Sequence, residues 1–183
     1  MPEPRLQTRS IAAQASAARA LVPDADSLVL LHIDAEQTGV VVSAAAAPGA
    51  VLALAIGAQI TARDYFKHTP PSPLELENAI ATVEDEVTRA RKLIPAGASL
   101  CTTDITIREI ALLSGVTAGE TMRLSLEAME RTFDRLAQVS LGRPASSEGL
   151  PASNAFAATL LILREFMHHL QFAEITILDH SPA

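Results

Sequence analysis

Residues 27–60 read SLVLLHIDAEQTGVVVSAAAAPGAVLALAIGAQI. Three apolar runs, Ser27–Ile33, Thr38–Ala44 and Ala50–Ile56, are separated by short polar or turn-forming stretches. Ser27–Ile33 is continuously apolar, as expected of a strand covered on both faces. Thr38–Ala44 is rich in valine, and Pro48-Gly49 marks the turn before the third run. Connections this short join antiparallel neighbours, because a parallel pair needs a crossover of a dozen or more residues. The stretch predicts a three-stranded antiparallel meander, closed by Gly57 and followed by a short helix to Lys67.

Outward from the meander the pattern turns helical. Ser72 is a good N-cap, Pro73 fits the first helical position and Glu75 completes a capping box. Leu76, Ile80, Val83, Val87, Ala90 and Ile94 then form one apolar stripe, and Pro95 and Gly97 end it. Residues 98–102 read as a short buried strand and 105–115 as a helix. Ser125 opens a helix with Leu126, Met129, Phe133 and Leu136 inward. After the loop at 142–154, Ser153 caps a last helix whose run from Phe156 to Leu170 leaves almost no polar face, so it belongs at the centre. Residues 173–178 alternate like a final strand. Before the meander, the alanine-rich residues 5–22 predict a helix with only a weak apolar stripe, which must dock on something. The expected architecture is α/β: a ribonuclease H-like domain with the meander and two further strands in one mixed sheet, helices on both faces, and no second domain.

The chain has 183 residues, 49% of them hydrophobic, which suffices for one packed core. With 14 Lys and Arg against 21 Asp and Glu, the formal charge is −7, which argues against a nucleic-acid partner. The single cysteine, Cys101, allows no internal disulfide. No apolar run reaches the ~18 residues that a membrane helix needs. The first residues lack an apolar leader, and a cytoplasmic protein is expected. There is no P-loop, dinucleotide fingerprint, HExxH, G-x-S-x-G or CxxC. His168 and His169 are adjacent, so on a helix they point about 100° apart and do not chelate together. Cys101, in an apolar strand without a basic neighbour, reads as a core residue.

Four stretches together resemble the second domain of the exopolyphosphatase/guanosine pentaphosphate phosphohydrolase (Ppx/GppA) family, in the actin-like ATPase superfamily. LVLLHIDAEQTGVVV (28–42) stands where the family has a strand, a D-I-G-G-G-S-T-E turn and a second strand. LALAIGAQITARDYF (52–66) is similar to its third strand, glycine and following helix. SLCTTDITIREIALLSG (99–115) stands where a strand meets a G-T-G-G-T turn and a helix. ASNAFAATLLILREFMHHLQFAEITIL (152–178) is similar to the last helix and strand.

The resemblance implies a phosphate-binding cleft between the two turns, and this chain departs from it there. Glycines let backbone N–H groups approach phosphate oxygens closely, which side chains would block. The family's leading aspartate, a metal- or water-orienting residue, matches His32. Its three glycines match Asp34, Ala35 and Glu36, and its serine matches Gln37, while Thr38 is kept. The second turn becomes Thr102, Thr103, Asp104, Ile105 and Thr106, with Thr106 kept. Gly57 is retained, and Asn154 stands where the family has an aspartate. The family's catalytic glutamate falls in residues 11–17, where this chain has no carboxylate.

Asp34, Glu36 and Asp104 are therefore expected at the cleft mouth. Two like charges ~4 Å apart repel by about 1 kcal/mol in water and about 4 at an effective dielectric near 20. A hydrogen bond to an anion returns about 1.5–3 kcal/mol, so repulsion cancels it unless a cation intervenes. These carboxylates read first as solvated turn residues and second as candidate ligands for such a cation, and Mg²⁺ would be the cofactor of an active form. The expectation is a catalytically inactive relative serving in binding or regulation. The alternatives are a phosphohydrolase on polyphosphate or guanosine pentaphosphate completed by another chain, and a small-molecule binder using His32, Gln37, Thr102, Thr103 and Thr106. The family's first domain has no counterpart here. The face it would cover is expected to meet a second copy or a partner protein, with helix 5–22 as a candidate contact.

Overall fold

The computed structural model describes residues 26–44 and 47–179. The helix expected at 5–22 lies outside the described residues. The meander forms as expected: β1 (Ser27–Ile33), β2 (Thr38–Ala44) and β3 (Ala47–Leu54). β1 and β2 pair antiparallel from Ser27 opposite Ala44 to Ile33 opposite Thr38. β2 pairs antiparallel with β3, with a register shift between Val42 and Ala44. β4 (Ser99–Thr102) lies parallel to β1, and β6 (Glu174–Leu178) lies parallel to β4. The sheet has a sixth strand that the sequence reading folded into the region before a helix. This β5 (Thr121–Ser125) pairs antiparallel with β6 at the edge, so three strands follow the meander where two were expected. The order is β3-β2-β1-β4-β6-β5.

The helices are α1 (Ala58–Tyr65), α2 (Pro73–Thr88), α3 (Ile105–Leu113), α4 (Leu126–Ser140) and α5 (Asn154–His169). The stripe expected to run helically to Ile94 tightens into a 3₁₀ turn at Arg89–Lys92. The connection from β3 to β4, through α1 and α2, is a parallel crossover, whereas β4 leads through α3 to the edge strand β5 and from there through α4 and α5 back to β6. A right-handed β3-to-β4 crossover fixes the face on which α1 and α2 lie. Val29, Leu31, Val40, Leu100, Met122, Leu124, Ile175 and Ile177 share one core with all five helices. Leu28, Leu30, Val41, Cys101 and Leu178 form a separate buried cluster on the other face. Among the described residues all five helices pack on one face of the sheet.

α5 is central, as its lack of a polar face requires. It packs on α1, α2, α3 and α4. Leu160, Leu161, Ile162, Leu163, Phe166 and Met167 are fully buried along it. Each such side chain contributes roughly 1.5–3 kcal/mol through water exclusion. The one buried charge on α5, Glu165, is held by Arg164 at 2.6 Å and His169 at 3.0 Å. Among the described residues no helix is long and apolar enough to cross a membrane.

Candidate functional site

The chain leaves β1 toward β2, whereas it leaves β4 through α3 toward β5, beyond β6 on the opposite side. Neighbouring parallel strands whose connections diverge leave a crevice at their C-terminal ends. Here it is a cleft of about 390 Å³ between the turn after β1 and the first turns of α1, α3 and α5. Of the expected residues, only Asp34 and Thr106 line it, beside Gln59, Glu109, Ser153, Phe156 and Thr159. Two lining residues are carboxylates and none is Lys or Arg.

The turn after β1 is spent on internal bonds. Asp34 N–H donates to the Gln37 carbonyl at 2.9 Å. The carbonyls of Asp34 and Ala35 accept from Ala58, Gln59 and Ile60 N–H at 2.8, 2.8 and 3.0 Å. These are the first-turn donors of α1, which a helix N-terminus otherwise leaves open to an anion. Gly57 makes the contact achievable. A Cβ there would lie 2.5 Å from Gln37 N and 2.7 Å from the carbonyl oxygens of Ala35 and Asp34, so only glycine fits. Thr38 is buried, and its hydroxyl donates to the Ile56 carbonyl at 2.8 Å. Glu36 points to solvent, 64% exposed, with Arg63 3.9 Å away. The Asp34 carboxylate accepts from Ala35 N–H at 2.7 Å.

The second turn overturns the picture of a solvated carboxylate at position 104. The Asp104 side chain is only 8% exposed. Its Oδ1 meets His32 Nδ1 at 2.5 Å, and its Oδ2 accepts from Ile33 N–H at 2.7 Å. Asp104 stands at the N-cap of α3 yet makes no side-chain cap bond to that helix. Its carboxylate instead reaches across to β1. Thr102, fully buried, orients it by accepting Asp104 N–H at 3.0 Å. The hydrogen bond that the His32 ring donates to Asp104 raises the His32 pKa, opposed by burial and helped by the charges of Asp104 and Asp34. Thr103 is half-exposed and, like Gln37, does not line the cleft.

Asn154 is also diverted. Its amide nitrogen donates to the carbonyls of Phe66 at 3.4 Å and His68 at 2.9 Å, which an aspartate could not do. Asp34, Glu36 and Asp104 do not converge. Among the described residues no three His, Cys, Asp or Glu side chains are grouped to hold a metal ion. Sequence reasoning missed Gln59, Glu109, Phe156 and Thr159, although Gln59 sits in the first turn of a helix that opens at the Gly57 turn. A second depression of about 460 Å³ lies at the opposite strand ends, beside Arg91, His169 and Gln171, and holds none of the expected residues.

Comparison with solved structures meets this geometry directly. A Ppx/GppA phosphatase from Aquifex aeolicus superposes with a TM-score of 0.71 at 16% identity, over 89% of this chain and 56% of that one. This chain shares the fold of that structure over most of its length. An exopolyphosphatase from Cytophaga hutchinsonii gives 0.66 at 12% identity, over 86% of this chain and 55% of that one. An exopolyphosphatase-like protein gives 0.64 at 13%, over 85% and 55%. The chain therefore spans little more than half the length of each structure. No family model and no curated protein matches the sequence. The likeness is one of fold, at 12–16% identity.

Proposed function

We propose that this Ppx/GppA-like domain does not hydrolyse phosphoanhydrides and serves instead in binding or regulation. The observation that carries the reading is the Asp104 carboxylate seated on Ile33 N–H and His32. The internal carboxylate there takes the amide and the imidazole that a phosphate would need. The carboxylates of Asp34 and Glu109 on the cleft wall, with no Lys or Arg beside them, repel an anion. Residues 11–17, which would carry the catalytic base, contain no carboxylate. The polar groups of Gln59, Thr106 and Thr159 beside the Phe156 ring suit a neutral or cationic ligand better than a polyphosphate.

The test is phosphate release from polyphosphate and from guanosine pentaphosphate with Mg²⁺, followed by malachite green. No release above the buffer blank is expected from the full chain. Release by the wild type that disappears in Asp34→Ala or Asp104→Ala would overturn the reading.

A further inference from the structure

β3 ends the sheet, with β2 on one side and no strand on the other among the described residues. An edge strand presents a row of unpaired backbone donors and acceptors. Proteins usually blunt it with charge, proline, a bulge or a covering element. Residues 49–55, GAVLALA, contain no charged or polar side chain. Leu52 and Ala50 pack on the helical core and Leu54 is buried. The alternate positions Gly49, Val51, Ala53 and Ala55 are exposed, Val51 at 41%. Blunting is confined to the two ends. Pro48 has no N–H to offer, and Glu86 accepts Ala55 N–H at 2.9 Å. Glu86 is itself neutralised by Arg89 at 2.6 Å, so that end carries no net charge.

We infer that β3 pairs antiparallel with β3 of a second copy of this chain, joining two sheets across a twofold axis. The occupant follows from symmetry and charge. In a twofold pair the strand faces itself, so any charge on it lies close to its own copy. β3 carries none. The other edge carries ionised groups on the strand itself: Arg123, 71% exposed and 3.0 Å from Glu174 of β6, is the middle residue of β5, and Glu120 precedes that strand. The exposed positions between those ends are also small, Gly49 and Ala53 around Val51, so a second backbone can approach along that stretch. A strand edge alone buries less than the ~1,200 Å² of a standard stable interface, so the association is weak and concentration-dependent.

Sedimentation velocity over a concentration series tests this, with hydrogen exchange at the two extremes. The expected result is a monomer–dimer equilibrium in which amides within 49–54 exchange more slowly at high concentration. Val51→Lys and Ala53→Lys, each on an exposed position and each checked by far-UV circular dichroism, lower the association constant at least tenfold. Arg123→Ala leaves it unchanged. A chain that stays monomeric at every concentration overturns the proposal, as does a dimer that survives both lysine substitutions.

Discussion

At the scale of single residues, the deciding contact is His32 with Asp104. Asp104 raises the His32 pKa above the ordinary 6.5, so the folded chain holds the proton more tightly than the unfolded one. A raised pKa stabilises the fold fully below about pH 6.5 and loses that contribution as pH climbs through the folded value. The difference in Tm between wild type and Asp104→Asn is therefore expected to be larger near pH 6 than near pH 8. Scanning calorimetry of both proteins across that range measures it, and the other histidines cancel because both proteins carry them. A difference that stays flat with pH would mean the pair does not share a proton. Part of this site was legible in the sequence. Gly57 reads as a turn glycine, and Thr38 and Thr106 stand where the turns need them. The pairing was not legible, because 72 positions separate the two partners and nothing local to Asp104 distinguishes it from a solvated N-cap. Only the parallel register of β1 and β4, with Leu30 opposite Cys101, brings the ends of these strands together. That register also buries Cys101, whose thiol is pushed up to about 12, consistent with a core residue and not a nucleophile.

At the scale of elements, the local rules that decided most boundaries are those with a chemical cause on the spot. Ser72 accepts Glu75 N–H, the Glu75 carboxylate accepts Ser72 N–H at 2.8 Å, and Pro73 opens α2. All three were readable because they lie within four residues. The same carboxylate also accepts Lys67 N–H at 3.0 Å and meets His68 at 2.8 Å, tying α2 to the loop after α1. Chiefly the Ser72 backbone bond, with His68 and Lys67 assisting, holds the Glu75 pKa down to about 2. A depressed carboxylate stabilises the fold above its unfolded value, near 4.5, and loses that contribution as pH falls toward 2. Glu75→Gln is expected to lower Tm at pH 7 and to differ little from wild type near pH 2–3, read by far-UV circular dichroism. An equal loss at both pH values would make the effect one of packing. β5 was missed for the opposite reason. Its five residues alternate exposed and buried, Met122 and Leu124 inward, but so short a run is indistinguishable from the first turn of the helix that Ser125 caps. Its strand character comes from β6, which supplies every ladder partner from Thr121 to Ser125.

At the scale of the whole molecule, α5 ties the described helices and sheet into one packed core. It touches the four other helices, and its buried residues join them to the sheet in a single core. A defect at its centre therefore cannot be confined to one layer. Leu161 is fully buried. Truncating such a leucine removes its transfer free energy and leaves a cavity that close-packed neighbours fill only in part, costing about 2–5 kcal/mol. For a domain of this size each kcal/mol shifts Tm by roughly 2–4 °C. Leu161→Ala is expected to lower Tm by on the order of 10 °C. The chain has one tyrosine and no tryptophan, which supplies a second probe far from the substitution's own chemistry. Tyr65 ends α1, and its hydroxyl donates to Thr82 on α2 at 2.7 Å. Its fluorescence reports the α1–α2 contact, while far-UV circular dichroism reports helices and sheet together. If α5 couples the layers, the two signals fall at one temperature in wild type and at one lower temperature in Leu161→Ala. Two separated transitions in the variant would show that the α1–α2 corner and the rest of the sheet unfold independently, and the cleft between them could then open without loss of the core.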